Sequence, residues 1–226
     1  MSLRSIFLLT IIPGIVTVVL AFALVRERKR SVTEQSHKIS FRSIKSPAFL
    51  WYLLTVAVFT LGNSTDAFLL LKATEAGVSI AFIPILWAVL HFSKAAFSMP
   101  GGRLSDRIGR KPVIILGWIC YALVYAGFAF AGSGSVIWFL FFSYGIYFGL
   151  TEGVEKAFVA DLVAAEVRGS AFGAYSLAVS ITALPASVIF GLVWQTVSSR
   201  AAFVMGASFA LAAAIMLIFV KAGREK

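Results

Sequence analysis

The sequence is poor in cysteine, histidine and charge. It has one cysteine, Cys120, two histidines and ten acidic residues in 226 positions. A lone cysteine excludes an internal disulfide, and so few histidines and cysteines offer no spacing for a metal site. No Walker-type phosphate loop is present, which argues against a nucleotide-driven pump. No catalytic constellation is visible, so neither an enzyme nor a cofactor is expected. Charged residues make up 13%, about half the share of a typical soluble chain. Apolar residues take their place: 60% of positions are hydrophobic and the mean hydropathy is +0.93. A soluble protein of 24.4 kDa could not bury that much apolar surface, so much of it faces lipid. Disorder and collagen are excluded by the same composition. The net charge of +10 would suggest nucleic acid in a soluble chain. Here basic loops on the inner face of a membrane account for it, and no nucleic-acid partner is expected.

A bilayer core about 30 Å thick needs roughly 20 apolar helical residues. Seven stretches meet that need: 5–25, 47–71, 78–98, 112–131, 136–155, 170–194 and 201–220. They are too long and too continuously apolar for barrel strands. The expected fold class is therefore an all-α membrane protein with about seven transmembrane helices. Residues 21–23, Ala-Phe-Ala, have the form of a signal cleavage site, but Arg26, Arg28, Lys29 and Arg30 follow a long apolar stretch, as after an anchor. With the N-terminus outside, sixteen of the twenty lysines and arginines fall on the inner side, three on the outer side, and Lys94 lies within a span. This asymmetry predicts a multi-pass cell-membrane protein, bacterial inner-membrane in type, with the C-terminus cytoplasmic. The expected organisation is one helix over 1–25, a basic cytoplasmic linker over 26–46 and a six-helix bundle over 47–226.

The most informative segment is 101–112, GGRLSDRIGRKP, expected as a loop between the third and fourth spans. Its glycines permit a tight turn. Asp106 is expected just ahead of a helix start, where a carboxylate meets free N–H groups. Arg107, Arg110 and Lys111 can pair with carboxylates or lipid headgroups. In this order Gly102, Leu104, Asp106, Arg107, Gly109, Arg110 and Lys111 resemble the signature loop of the major facilitator superfamily, Gly-x-Leu-x-Asp-Arg-x-Gly-Arg-Arg/Lys. That family is built from two six-helix halves, and the signature follows the second helix of a half. Here it follows the second span after the linker. The resemblance implies the C-terminal half of a transporter, preceded by the last helix of a first half, with these residues in a cytoplasmic gate. Residues 149–175, which contain Arg168, Gly169 and Gly173, are similar to the connector between the fourth and fifth helices of a half.

Twelve spans do not fit in 226 residues. The chain is thus expected to be a fragment, or a half that works with a separate N-terminal half or with a second copy. In such a pair, Arg168 of one copy would meet Asp106 of the other.

Other polar residues stand out inside apolar runs. Asn63 and Asp66 share a helical face within the second span, in GNSTD, and are candidates for a substrate or proton site. The alternative is an early helix end, with Asp66 at the outer interface. Tyr144, Phe148 and Thr151 share helical spacing, and Tyr144 and Thr151 are candidates for a substrate wall. Lys94 either snorkels to the inner surface or pairs with Glu152 or Glu155. Lys94, Glu152, Glu155, Lys156 and Arg168 are together the candidates for ion pairs at an inner gate, against a reading as interfacial charges. The function expected is secondary transport of a small solute by alternating access, coupled to protons, with the lipid bilayer as surroundings. Two alternatives stand beside it: an inactive or split-gene fragment, and a seven-helix receptor or sensor. A retinal-type sensor needs a lysine deep in the last span, and 201–220 contains none.

Overall fold

The computed structural model describes residues 11–24 and 46–220. Among these residues every regular element is a helix. Helix α1 (Ile11–Leu24) is the described part of the expected span 5–25 and belongs to a unit of its own. Its Ile15, Val16, Val18, Val19 and Leu20 are exposed, as lipid-facing residues are. The expected linker, up to residue 45, and the tail from Lys221 lie outside the described residues.

The second unit holds α2 (Pro47–Gly62), α3 (Ala67–Glu75), α4 (Ile83–Ile108, after a 3-10 turn at Ile80–Phe82), α5 (Arg110–Phe130), α6 (Gly134–Asp161), α7 (Arg168–Thr196, after a 3-10 turn at Ala165–Val167) and α8 (Ser199–Ile218). They make six spans long and apolar enough to cross a membrane, α2 and α3 together forming one. Local chemistry sets the starts. Ser46 Oγ accepts from Phe49 N–H at 3.2 Å and Pro47 opens the first turn of α2. Ser198 Oγ accepts from Ala201 N–H at 3.1 Å ahead of α8. Both satisfy amides that a helix end leaves free.

Two kinds of packing hold the bundle. The centre is aromatic: Trp118, Tyr121, Tyr125 and Phe128 on α5 are fully buried, and Phe59 of α2 stacks on Trp118 with ring centroids 4.6 Å apart. The seam between α4 and α6 is made instead by backbone approach. A Cβ on Gly145 would lie 2.5 Å from the Leu90 carbonyl oxygen, and one on Gly149 would lie 2.7 Å from Phe97 Cβ. Only glycine permits that contact. Ser93 Oγ then donates to the Phe142 carbonyl across the seam at 2.7 Å. Helix α7 is the opposite case: 11% of its most apolar stretch is buried, against 56% for α5.

Two local expectations change. Residues 101–108 are helix, not loop, because α4 runs to Ile108. Gly101 does not end the helix; it is buried against the α6 backbone, a Cβ there falling 2.7 Å from the Gly149 carbonyl oxygen. The chain reverses at Gly109 alone, with φ of +92°, a conformation glycine adopts freely. Asp106 therefore lies exposed in the last turn of α4 rather than capping α5. The expected continuous span 47–71 is interrupted: α2 ends at Gly62, residues 63–66 leave the helix, and α3 begins at Ala67.

Candidate functional site

The interruption in the first span of the bundle opens onto a cavity of about 650 Å³. At 1.5 Å per residue, the 16 residues of α2 carry the chain about 24 Å from the end where α2 starts before it breaks. Asn63, Ser64, Thr65 and Asp66 therefore sit well inside the span and line the cavity. The break is held from two sides. Tyr121 OH donates to the Gly62 carbonyl at 2.9 Å, and Thr65 N–H donates to Ser187 Oγ of α7 at 3.2 Å. Tyr144 OH of α6 donates to Asp66 Oδ1 at 3.0 Å and lies 3.5 Å from Asn63 Oδ1. Tyr144 thus supports the cavity from behind, whereas Thr151, with its hydroxyl turned back to the Tyr147 carbonyl at 3.0 Å, is part of the wall.

The cavity is also lined by Lys94, Glu152, Glu155 and Lys156. Lys94 Nζ lies 2.6 Å from Glu152 Oε2 and 4.8 Å from the centre of the Phe148 ring. Lys156 Nζ approaches the other oxygen of Glu152 at 3.5 Å. Both lysines are thereby committed to one carboxylate. Glu155, one turn away, takes part in no ion pair among the described residues. It is buried, and its two oxygens accept from Trp118 Nε1 and from Tyr175 OH, each at 2.8 Å. Neutral donors on α5 and α7 hold it in place of a cation. Arg168 stands outside this group: it is exposed at the start of α7 and its Nε donates to the Ala160 carbonyl at 3.3 Å. His91 Nδ1 lies 2.9 Å from the Trp87 carbonyl oxygen, one turn back on its own helix.

The signature residues gather at the far end of α4. Arg110 reaches Asp161 at 2.8 Å and also donates to the Ala157 carbonyl, tying α5 to α6. Lys111 Nζ donates to the Val220 carbonyl at 2.9 Å, satisfying the end of α8. Gly102, Asp106 and Arg110 line a second, smaller hollow of about 260 Å³ with Gly149 and Gly153. Arg107 and Gly109 are exposed beside it, and Leu104 is half-buried.

Several wall residues escaped the sequence reading. Ser176, Ser180, Ala183 and Ser187 of α7 line the cavity, and their spacing places them on one helical face. That small, polar stripe was available as a signal. The Trp118 and Tyr175 contacts to Glu155 were not, since they join residues 37 and 20 apart on three different helices.

Comparison with known proteins places the chain. The chain is 32% identical over 225 residues to an uncharacterized MFS-type transporter of Methanocaldococcus jannaschii, covering 97% of this chain and 56% of that one. It is 31% identical over 137 residues to the multi-drug resistance efflux pump PmrA of Streptococcus pneumoniae, covering 59% of this chain and 34% of the pump. It is 30% identical over 145 residues to the inner membrane transport protein YajR of Escherichia coli, covering 64% and 31%. The chain thus spans between a third and somewhat more than half of these relatives. The sequence model of the Major Facilitator Superfamily matches residues 67–226, which takes in the whole bundle from α3 onward together with the signature residues, and the chain belongs to that superfamily.

Proposed function

We propose that this chain forms the cavity-bearing half of a secondary transporter that moves a small solute across the cell membrane by alternating access, driven by protons. The observation that carries this reading is the cavity itself. It sits between membrane-spanning helices and is lined by two carboxylates, Asp66 and Glu155, that are in no ion pair among the described residues. A carboxylate at that depth is costly unless it serves an aqueous or ion pathway. In the proposed mechanism Glu155 carries the proton, and Trp118 and Tyr175 hold it in position. Asn63, Asp66, Tyr144 and Thr151 form or support the solute and ion path. The Lys94–Glu152–Lys156 cluster is the inner gate, opening when the helices it joins separate.

The open side of the cavity takes a first-half bundle, or a second copy whose Arg168 meets Asp106. Lipid surrounds the rest. The proposed orientation puts the N-terminus outside and the C-terminus in the cytoplasm, and labelling of cysteines placed at Ser2 and Glu225 from opposite faces tests it.

The test of function is reconstitution in liposomes loaded with a pH-sensitive dye and exposed to a panel of small solutes. The expected result is solute-dependent proton movement that Glu155→Gln abolishes and whose pH profile Asp66→Asn shifts. Solute flux with an unchanged pH profile in both variants, at normal protein levels, would overturn proton coupling through these residues.

A further inference from the structure

The break at residues 63–66 gathers more oxygen than its hydrogen bonds can use. Tyr144 OH lies within 3.0 Å of Asp66 Oδ1 and 3.5 Å of Asn63 Oδ1. The carboxylate and amide oxygens therefore converge on one hydroxyl, which has a single proton to give. Ser64 lies between them in sequence and is buried. Its hydroxyl has no hydrogen-bond partner. Tyr125, fully buried on α5, has its hydroxyl in the neighbourhood of Ser64, Tyr121 and Tyr144, and it too lacks a partner in good geometry. Among the described residues these are the two buried side-chain oxygens left without a hydrogen bond, and both are here. The two hydroxyls lie beside each other and neither is fixed by a well-aligned hydrogen bond, so both are free to turn toward an occupant of the break.

The charge of the site says what that occupant is. Asp66 is in no ion pair among the described residues. The basic side chains that bear on it are His91 and Lys94. His91 is turned to its own helix, and Lys94 is held at 2.6 Å by Glu152. A water would serve the hydroxyls but leave the carboxylate uncompensated at membrane depth. A hard cation takes carboxylate, amide and hydroxyl oxygens together, and interrupted membrane helices supply such ligands. One carboxylate among neutral oxygens matches a single positive charge rather than two.

We propose that the break is a sodium site, with Asp66, Asn63 and Ser64 as its ligands and the hydroxyls of Tyr125 and Tyr144 completing it. This rests on the reading of the cavity as an ion-coupled transport site and adds which ion sits at Asp66.

The test is binding of radioactive sodium ion to the purified full chain in detergent at neutral pH, followed by scintillation proximity. Saturable binding of one ion per chain is expected, displaced by unlabelled sodium. Asp66→Asn should weaken it at least tenfold and Ser64→Ala several-fold. Glu75→Gln, at the far end of α3 and outside the site, should bind as the parent does. Absence of saturable binding in monodisperse parent protein overturns the proposal, as does parent-like affinity in Asp66→Asn. If Asp66→Asn is not monodisperse, parent-like affinity in Ser64→Ala overturns it instead. The assay needs no solute, so proton-driven flux in liposomes combined with no sodium binding would remove this site and leave the transport reading standing.

Discussion

The α4–α6 seam and the inner face of α7 are both built from small residues, and they use them for opposite ends. In the seam, Gly145 and Gly149 bring two backbones together until no Cβ fits between them. On α7, Ser176, Ser180, Ala183 and Ser187 keep the wall of the cavity back from its centre. The same helix has Gly169 and Gly173 with nothing within 4 Å of where a Cβ would stand. A small residue in a membrane helix is thus a contact where a partner helix lies opposite and a space where none does. In lipid this matters more than in water, because helix association there depends on close packing and hydrogen bonds rather than on hiding apolar surface. The seam should be intolerant of volume and the α7 face tolerant of it as regards folding, though not as regards function.

The sharpest test of that contrast is Gly145→Val. Its branched Cβ would meet the Leu90 carbonyl and Ser93 Cβ, neither of which can move without shifting α4. A loss on the order of 3 kcal/mol is expected, the upper part of the range for overpacking, read as a fall in thermal stability or in monodisperse yield in detergent. Parent-like stability would mean that the seam is looser than its geometry.

Ser180→Trp is the counterpart on α7. The indole enters the cavity, so the protein should keep its melting temperature while solute-dependent flux in liposomes is lost. A large drop in melting temperature, or undiminished flux, would count against an open wall at this position.

A smaller effect is expected where the two regions meet through Glu155, which α6 carries and α7 helps to hold. Tyr175→Phe removes one of its two side-chain donors. Hydrogen bonds to charged groups are worth about 1.5–3 kcal/mol, and some of that will be recovered by water entering the cavity. A loss of about 1 kcal/mol in stability is expected by the same reasoning, with a change in tryptophan emission as Trp118 takes over the carboxylate. No change in either would separate Tyr175 from Glu155.

The smallest effect belongs to Gly173→Ala. With open space around it, the added methyl should change stability by no more than about 0.5 kcal/mol. A clear loss in detergent would show that another chain or another helix packs there.

Much of this architecture was legible in the chain. The six spans follow from apolar runs because a bilayer leaves the backbone no option but to satisfy itself within a helix. Their ends were short by up to ten residues in the sequence reading, as at α4, which runs to Ile108 rather than 98. The missed turns carry charged and glycine residues that a hydropathy argument treats as loop. The polar patch at Asn63–Asp66 was visible as an anomaly in an apolar run, and so were the lysine and two glutamates found lining the same cavity. That they share one cavity was not visible, because the walls come from α2, α4, α6 and α7 and no sequence spacing relates them.

Composition and apolar run length alone determined that this protein is a helical membrane bundle, and the order of residues around Asp106 pointed to its family. Glu152 and Glu155 mark where that determination stops. They are the same residue type, three apart on one helix, and nothing local distinguishes them. Tertiary packing gave Glu152 two lysines, one from α4 and one from its own next turn, and left it exposed. It gave Glu155 a tryptophan and a tyrosine from α5 and α7 and buried it. A charge partnered by cations in water is held in place. A charge partnered by neutral donors away from water is held by hydrogen bonds alone, and which of the two a carboxylate becomes depends on neighbours that only the folded bundle supplies.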